Sequence, residues 1–209
     1  MIDFERISQN AKLKALAVIG SRARGDCSEH SDYDLIGISE KCNFIRFTED
    51  QYVIELHTTQ SVLDWSSKPS WWYALECIDI KVDDGTIGSL PSLAKQWQKN
   101  YCPSEEDIRR NLYWIESVVR KILGSNSDLK LAYILETNLW EILTGSFLSR
   151  SMPMPANSDM FRLAPSIIGK ELFRGLLCGT LTQKRKIAMD LCREIIETHN
   201  KALELTGGS

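Results

Sequence analysis

The sequence predicts an α+β protein of two parts: a small mixed sheet flanked by helices over residues 1–102, then a helical bundle over residues 103–209. Short runs rich in β-branched and aromatic residues crowd into the first half. From Ser104 onward the apolar residues recur at helical spacing instead. A chain of 209 residues can bury two such small cores.

In order along the chain, residues 2–12 suit a short helix, and 13–19 (LKALAVI) is a brief apolar run that stops at Gly20, as a buried strand would. Residues 21–31 form a polar stretch, and 33–38 (YDLIGI) and 52–58 (YVIELHT) read as the second and third strands. A helix is expected over 61–78 despite Pro69, followed by an edge strand at 80–82 that enters a turn at Asp84-Gly85. Ser104 and Asp107 then announce a helix by capping its free N–H groups, and Ile108, Leu112, Ile115, Val119 and Ile122 form its apolar stripe. A second helix is expected over 128–148. A shorter one follows over 167–177 beyond the loop at 152–155, and a last one over 182–205 buries Ile187, Leu191 and Ile195. The bundle thus has about four members.

Apolar residues at 43% and charged residues at 25% are the balance of a globular domain, neither disordered nor membrane-embedded. A net charge of −3 supplies no general positive field, so bulk nucleic acid is not an expected partner. The six cysteines lie far apart with no C-x-x-C pair, which suits reduced and mostly buried thiols rather than a zinc site. Asp3, Glu5 and Arg6 interrupt the first ten residues, so no signal peptide is expected there. No run reaches the roughly 20 apolar residues that span a bilayer. The expected compartment is the cytoplasm.

The chemistry concentrates in GSRARGDCSEHSDYDL, residues 20–35. Gly20 has no Cβ and lets a ligand approach the backbone, and Ser21 can donate its N–H and its hydroxyl, a combination suited to phosphate. Asp32 and Asp34 are one residue apart, which on a strand turns both carboxylates to one face. Two like charges side by side call for a shared cation, and oxygen ligands suit Mg²⁺ or Mn²⁺.

Gly-Ser, ten residues, then Asp-x-Asp resembles the signature of the nucleotidyltransferase superfamily typified by DNA polymerase beta, closest to its minimal and kanamycin-nucleotidyltransferase-like members. The resemblance covers about the first half of the chain. It implies an acceptor oxygen attacking the α-phosphorus of an NTP, ATP foremost, with pyrophosphate leaving and two metal ions stabilising the entering and departing oxygens. It also implies a third carboxylate in an apolar setting on a neighbouring strand. Ile54-Glu55-Leu56 fits, with Ile78-Asp79-Ile80 as the rival; Glu55 is preferred because the third strand follows soon after Asp34, although Glu stands where the family has Asp. Under the same resemblance Ser21 grips the β- or γ-phosphate, and Arg22 and Arg24 are candidates to neutralise the triphosphate. Relatives that modify antibiotics add a general base from the helical part, for which Glu136, set among Tyr133, Leu135 and Leu139, is favoured over Glu141.

Three functions remain open on sequence alone: transfer of AMP to a hydroxyl of a small molecule such as an aminoglycoside or lincosamide, transfer to a protein side chain in the manner of an antitoxin, or nucleotide binding without turnover. Trp65, Trp71, Trp72 and Trp97 are candidates to line a cleft, though large aromatics more often fill cores. Arg193 and His199 match the loose Arg-His spacing of HEPN ribonucleases, but six positions on a helix set them about 120° apart, and a core histidine is the better reading. A homodimer is expected because relatives with a helical second part often complete the site across one.

Overall fold

The computed structural model describes residues 4–5, 12–39, 44–49, 52–64, 77, 79–155 and 157–206. The chain forms two compact units, Met1–Asn100 and Tyr101–Ser209.

The first unit is built on a mixed sheet of five strands: β1 (Ala15–Ile19), β2 (Tyr33–Ile38), β3 (Phe44–Glu49), β4 (Tyr52–His57) and β5 (Asp79–Val82), in the order β3-β4-β2-β1-β5. β2 and β4 run parallel, and the other three pairs are antiparallel. β1 is an interior strand, between β2 and β5, and every residue of it is buried, so its sequence is continuously apolar rather than alternating. One face of the sheet gathers Ala15, Ala17, Ile19, Ile36 and Ile38, packed with Val62, Ile87, Leu90 and Ala94. The other face gathers Leu16, Val18, Leu35, Ile54 and Leu56.

Three helices complete the described part of this unit: α1 (Gly20–Arg24), α2 (Thr59–Leu63) and α3 (Thr86–Lys99). Two of these elements and β3 depart from the sequence expectation. α1 occupies the start of the polar stretch, to which no element was assigned, and α3 was not foreseen because Gly88 and Pro91 lower its helix propensity. Two aspartates compensate: the Asp83 carboxylate accepts from the N–H groups of Ile87 and Gly88 at 3.0 Å each, and Asp84 accepts from Thr86 N–H at 3.0 Å. The expected helix over 61–78 begins earlier, at Thr59, where the Thr58 hydroxyl accepts from Ser61 N–H. Residues 65–76 and 78, its remainder apart from Cys77, lie outside the described residues, as do most of the helix expected over 2–12 and Trp65, Trp71 and Trp72. Lys12 sits in a turn at φ 52, so that first helix does not extend to residue 12.

The second unit is helical: α4 (Glu105–Leu123), α5 (Asp128–Thr137), α6 (Leu139–Leu148), α7 (Asn157–Ile168), α8 (Lys170–Cys178) and α9 (Leu181–Thr206). Six described helices stand where four were expected, because the helix expected over 128–148 is divided at Asn138 and α7 lies mostly ahead of the helix expected over 167–177, where none was foreseen. At Asn138 the side-chain amide donates at 2.7 Å to Ile134 O, which also accepts from the Asn138 backbone N–H at 3.1 Å, and the Thr137 hydroxyl donates to Tyr133 O at 2.7 Å, so side chains share the last carbonyls of α5 where it ends. Gly169, at φ 93, separates α7 from α8. Ser104 caps α4 as expected, accepting from Asp107 N–H at 3.1 Å. The buried stripe of α4 is Ile108, Asn111, Ile115, Val118 and Ile122, one position off at two points from the apolar set read from sequence. Asn111 owes its place to His199, whose ring Nε2 lies 2.9 Å from its Oδ1 within the core.

Among the described cysteines Cys77 and Cys192 are buried, whereas Cys102 and Cys178 are exposed and Cys27 is partly so, which corrects for these five the expectation of mostly buried thiols. Among the described residues no helix is long and apolar enough to cross a membrane.

Candidate active site

The end of β1 and the start of β2 meet in antiparallel register, Ile19 opposite Asp34. At that point the chain leaves the sheet at Gly20, whose φ of 71 lies in the left-handed region, and enters α1 directly. No side chain caps this helical turn. A Cβ on Gly20 would stand 2.7 Å from Asp34 Oδ2. Glycine is therefore required twice, for its backbone angle and for the carboxylate that lies against it.

Alternation along the strands decides which acids share a face. Asp34 lies in phase with Ile36 and Ile38, and Glu55 stands opposite Ile36 in the parallel β2–β4 register, so both carboxylates belong to the face that carries α3's apolar residues. Asp79 pairs with Val18, which faces the other side of the sheet, and its carboxylate is 2.6 Å from Lys81 Nζ. The two candidates for a third carboxylate are thus on opposite faces, and Glu55 is the one on the same face as Asp34. Its neighbour in phase is His57, nearly buried, with Nε2 at 3.7 Å from Glu55 Oε2. Glu-x-His on a strand was the sequence signal for that pair, and the sequence reading passed over it.

Asp32 sits just ahead of β2 rather than on it, so strand alternation does not aim its side chain. It is exposed and makes no hydrogen bond or ion pair among the described residues. What holds the loop before it is Arg22. Its guanidinium donates to Ser31 O from Nη2 at 2.6 Å and from Nε at 3.2 Å, and stacks over the Tyr33 ring at 4.4 Å. Gly25, at φ 78, closes α1, and Asp26 N–H returns to Ser21 O at 3.1 Å. Arg22 is thereby engaged with the protein's own loop. Arg24 lies 3.4 Å from Asp26 Oδ2 through its Nε. Ser21 is partly buried at the second position of α1.

An oxygen-only set of Asp32, Asp34 and Glu55 fits a hard divalent cation in ligand type, and the Gly20 backbone leaves the space at Asp34 that a side chain would fill. Among the described residues no three His, Cys, Asp or Glu side chains are gathered into one metal-binding group, so Asp32, Asp34 and Glu55 are not drawn together as a ready ligand set.

Glu136 is exposed, with Lys184 Nζ at 2.7 Å from its Oε1, and Tyr133 one turn earlier is exposed too. The apolar surroundings read for Glu136 from sequence do not hold, because Glu136 shares the exposed face of α5 with Tyr133 while Leu131, Ile134 and Leu135 take the buried one. Glu141 is partly buried in the first turn of α6. In the same unit His199 is buried against Asn111 while Arg193 is exposed and 3.5 Å from Asp190, so the core reading of His199 is the one the structure gives.

No protein-family model matches the chain, and no curated protein matches it by sequence. A nucleotidyltransferase-like protein from Exiguobacterium sibiricum 255-15 is similar in structure, with a TM-score of 0.45 and 12% identity over 96% of this chain and 75% of that one. A likeness this distant leaves the family unassigned.

Proposed function

We infer that the chain is a metal-dependent nucleotidyltransferase, on one principal observation: Asp34 lies against the Gly20 turn with Glu55 on the same face of the sheet. A strand that ends in glycine beside a carboxylate brings together what phosphoryl chemistry needs, an open backbone for the phosphate and an acid for the cation beside it. Asp32, Asp34 and Glu55 would hold Mg²⁺ or Mn²⁺. When bound, the cation neutralises phosphate charge and stabilises the entering and leaving oxygens.

Gly20 and Ser21 then seat the triphosphate through backbone N–H and hydroxyl, and Arg22 acts as a positioning residue that fixes the loop carrying Asp32. An acceptor hydroxyl oxygen forms a bond to the α-phosphorus as the bond to the α,β-bridging oxygen breaks. Pyrophosphate leaves, the acceptor's proton passes to solvent or a base, and the nucleoside monophosphate stays on the acceptor. ATP is the proposed donor and a small-molecule or protein hydroxyl the proposed acceptor.

Pyrophosphate release measured with each NTP and Mg²⁺, with and without aminoglycosides, lincosamides and candidate proteins, tests the reading. Release with at least one NTP that falls at least a hundredfold in both Asp32→Ala and Asp34→Ala supports it. Release that survives those substitutions, in protein that folds normally, overturns it.

A further inference from the structure

The helical unit has an open surface hollow, about 530 Å³, between the C-terminal end of α4 and the first turns of α5. Ser117, Arg120, Lys121, Lys130 and Tyr133 line it. Its charge is predominantly positive. Glu116 lies 3.8 Å from Arg120 but both are exposed, and Asp128, at the start of α5, is exposed as well. Lys121 Nζ is 3.4 Å from the neutral Asn138 Oδ1, and Lys130 has no carboxylate within ion-pair distance among the described residues.

Arg120 and Lys121 have a local reason to stand where they do, since cations in the last turn of α4 complement the helix dipole. Lys130 has none. It is the third residue of α5, where the helix presents its positive end and a cation is disfavoured. Tyr133, one turn on, is 68% exposed, leaving its ring open.

We propose that this hollow binds a phosphorylated small molecule carrying a flat ring. Its volume is that of an ordinary small-ligand site. Arg120, Lys121 and Lys130 receive the phosphate as charge-assisted donors, and Tyr133 stacks on the ring. A polycationic ligand of the aminoglycoside kind is repelled by the same charges. The proposal stands independently of the nucleotidyltransferase reading, because none of its residues belongs to the first unit.

Calorimetric titration of the full chain with AMP and, separately, with inorganic phosphate, in low salt and EDTA, tests it. Lys121→Glu with Lys130→Glu should weaken both ligands at least tenfold, and reversal of an exposed cation away from the hollow, Lys201→Glu, should change neither. Tyr133→Ala should weaken AMP severalfold and leave phosphate unchanged. Failure of wild-type protein to bind AMP, or equal affinity in the charge-reversed variant, overturns the site. A Tyr133→Ala variant with unaltered AMP affinity overturns the ring contact.

Discussion

Gly20 and Gly25 both adopt left-handed angles, at φ 71 and φ 78, but only one of them lies against an acid. A Cβ at Gly25 would meet nothing within 4 Å, so Gly25→Ala carries backbone strain alone, about 1–2 kcal/mol. Gly20→Ala carries the same strain and in addition drives its Cβ to 2.7 Å from Asp34 Oδ2. That overlap is relieved most cheaply by swinging the carboxylate away, because a side-chain end moves more readily than a strand. The two variants should therefore differ by about 1 kcal/mol or less in urea unfolding, yet diverge in activity. A reactive group misplaced by about 1 Å costs on the order of a hundredfold in rate. Pyrophosphate release should accordingly fall about a hundredfold or more in Gly20→Ala and stay within a few-fold of wild type in Gly25→Ala. Equal activity in the two, at equal stability, would refute the claim that the Asp34 carboxylate works from its place beside Gly20.

Arg22→Ala should free the loop from Ser31 and Tyr33, so limited proteolysis between residues 25 and 32 should accelerate while urea unfolding of the second unit is unchanged; a cleavage pattern like that of wild type would contradict the clamp. Burial holds the His199 pKa below its ordinary value, so the unfolded chain takes up a proton first as pH falls. The corresponding stability is complete above about pH 6.5 and is lost as pH drops toward the folded value, with a slope of at most about 1.4 kcal/mol per pH unit. His199→Gln should flatten that part of a pH series of urea unfolding curves, and an unaltered slope would assign the acid sensitivity elsewhere.

The fold class was legible because continuous apolar runs and a helical stripe are direct consequences of burial: LKALAVI reads as a central strand, and Ile108, Ile115 and Ile122 read as one face of a helix. α3 was hidden because its stability comes from Asp83 and Asp84 capping three N–H groups, which outweighs a glycine and a proline that argue against a helix. The division at Asn138 was hidden for the opposite reason, since Leu, Ile and Trp continue across it and only the side-chain hydrogen bonds of Thr137 and Asn138 to the last carbonyls of α5 mark it. Within the site, Gly20 and Asp34 were visible as residues of a motif. Their contact was not, because it depends on the pairing of β1 with β2, and neither was the engagement of Arg22 with Ser31 O across nine residues. The face shared by Asp34 and Glu55 follows from strand register, which sequence spacing does not carry.

Mn²⁺ titration followed by electron paramagnetic resonance addresses the central claim most directly, because it counts bound ions without requiring the acceptor. Measured against the Mn²⁺ that ATP alone takes up, the wild-type chain with ATP should remove further Mn²⁺ from the free pool, and Asp34→Asn, which keeps the shape of the side chain and removes its charge, should weaken that additional binding at least tenfold. Equal Mn²⁺ binding by the two proteins would contradict a metal site built on Asp34.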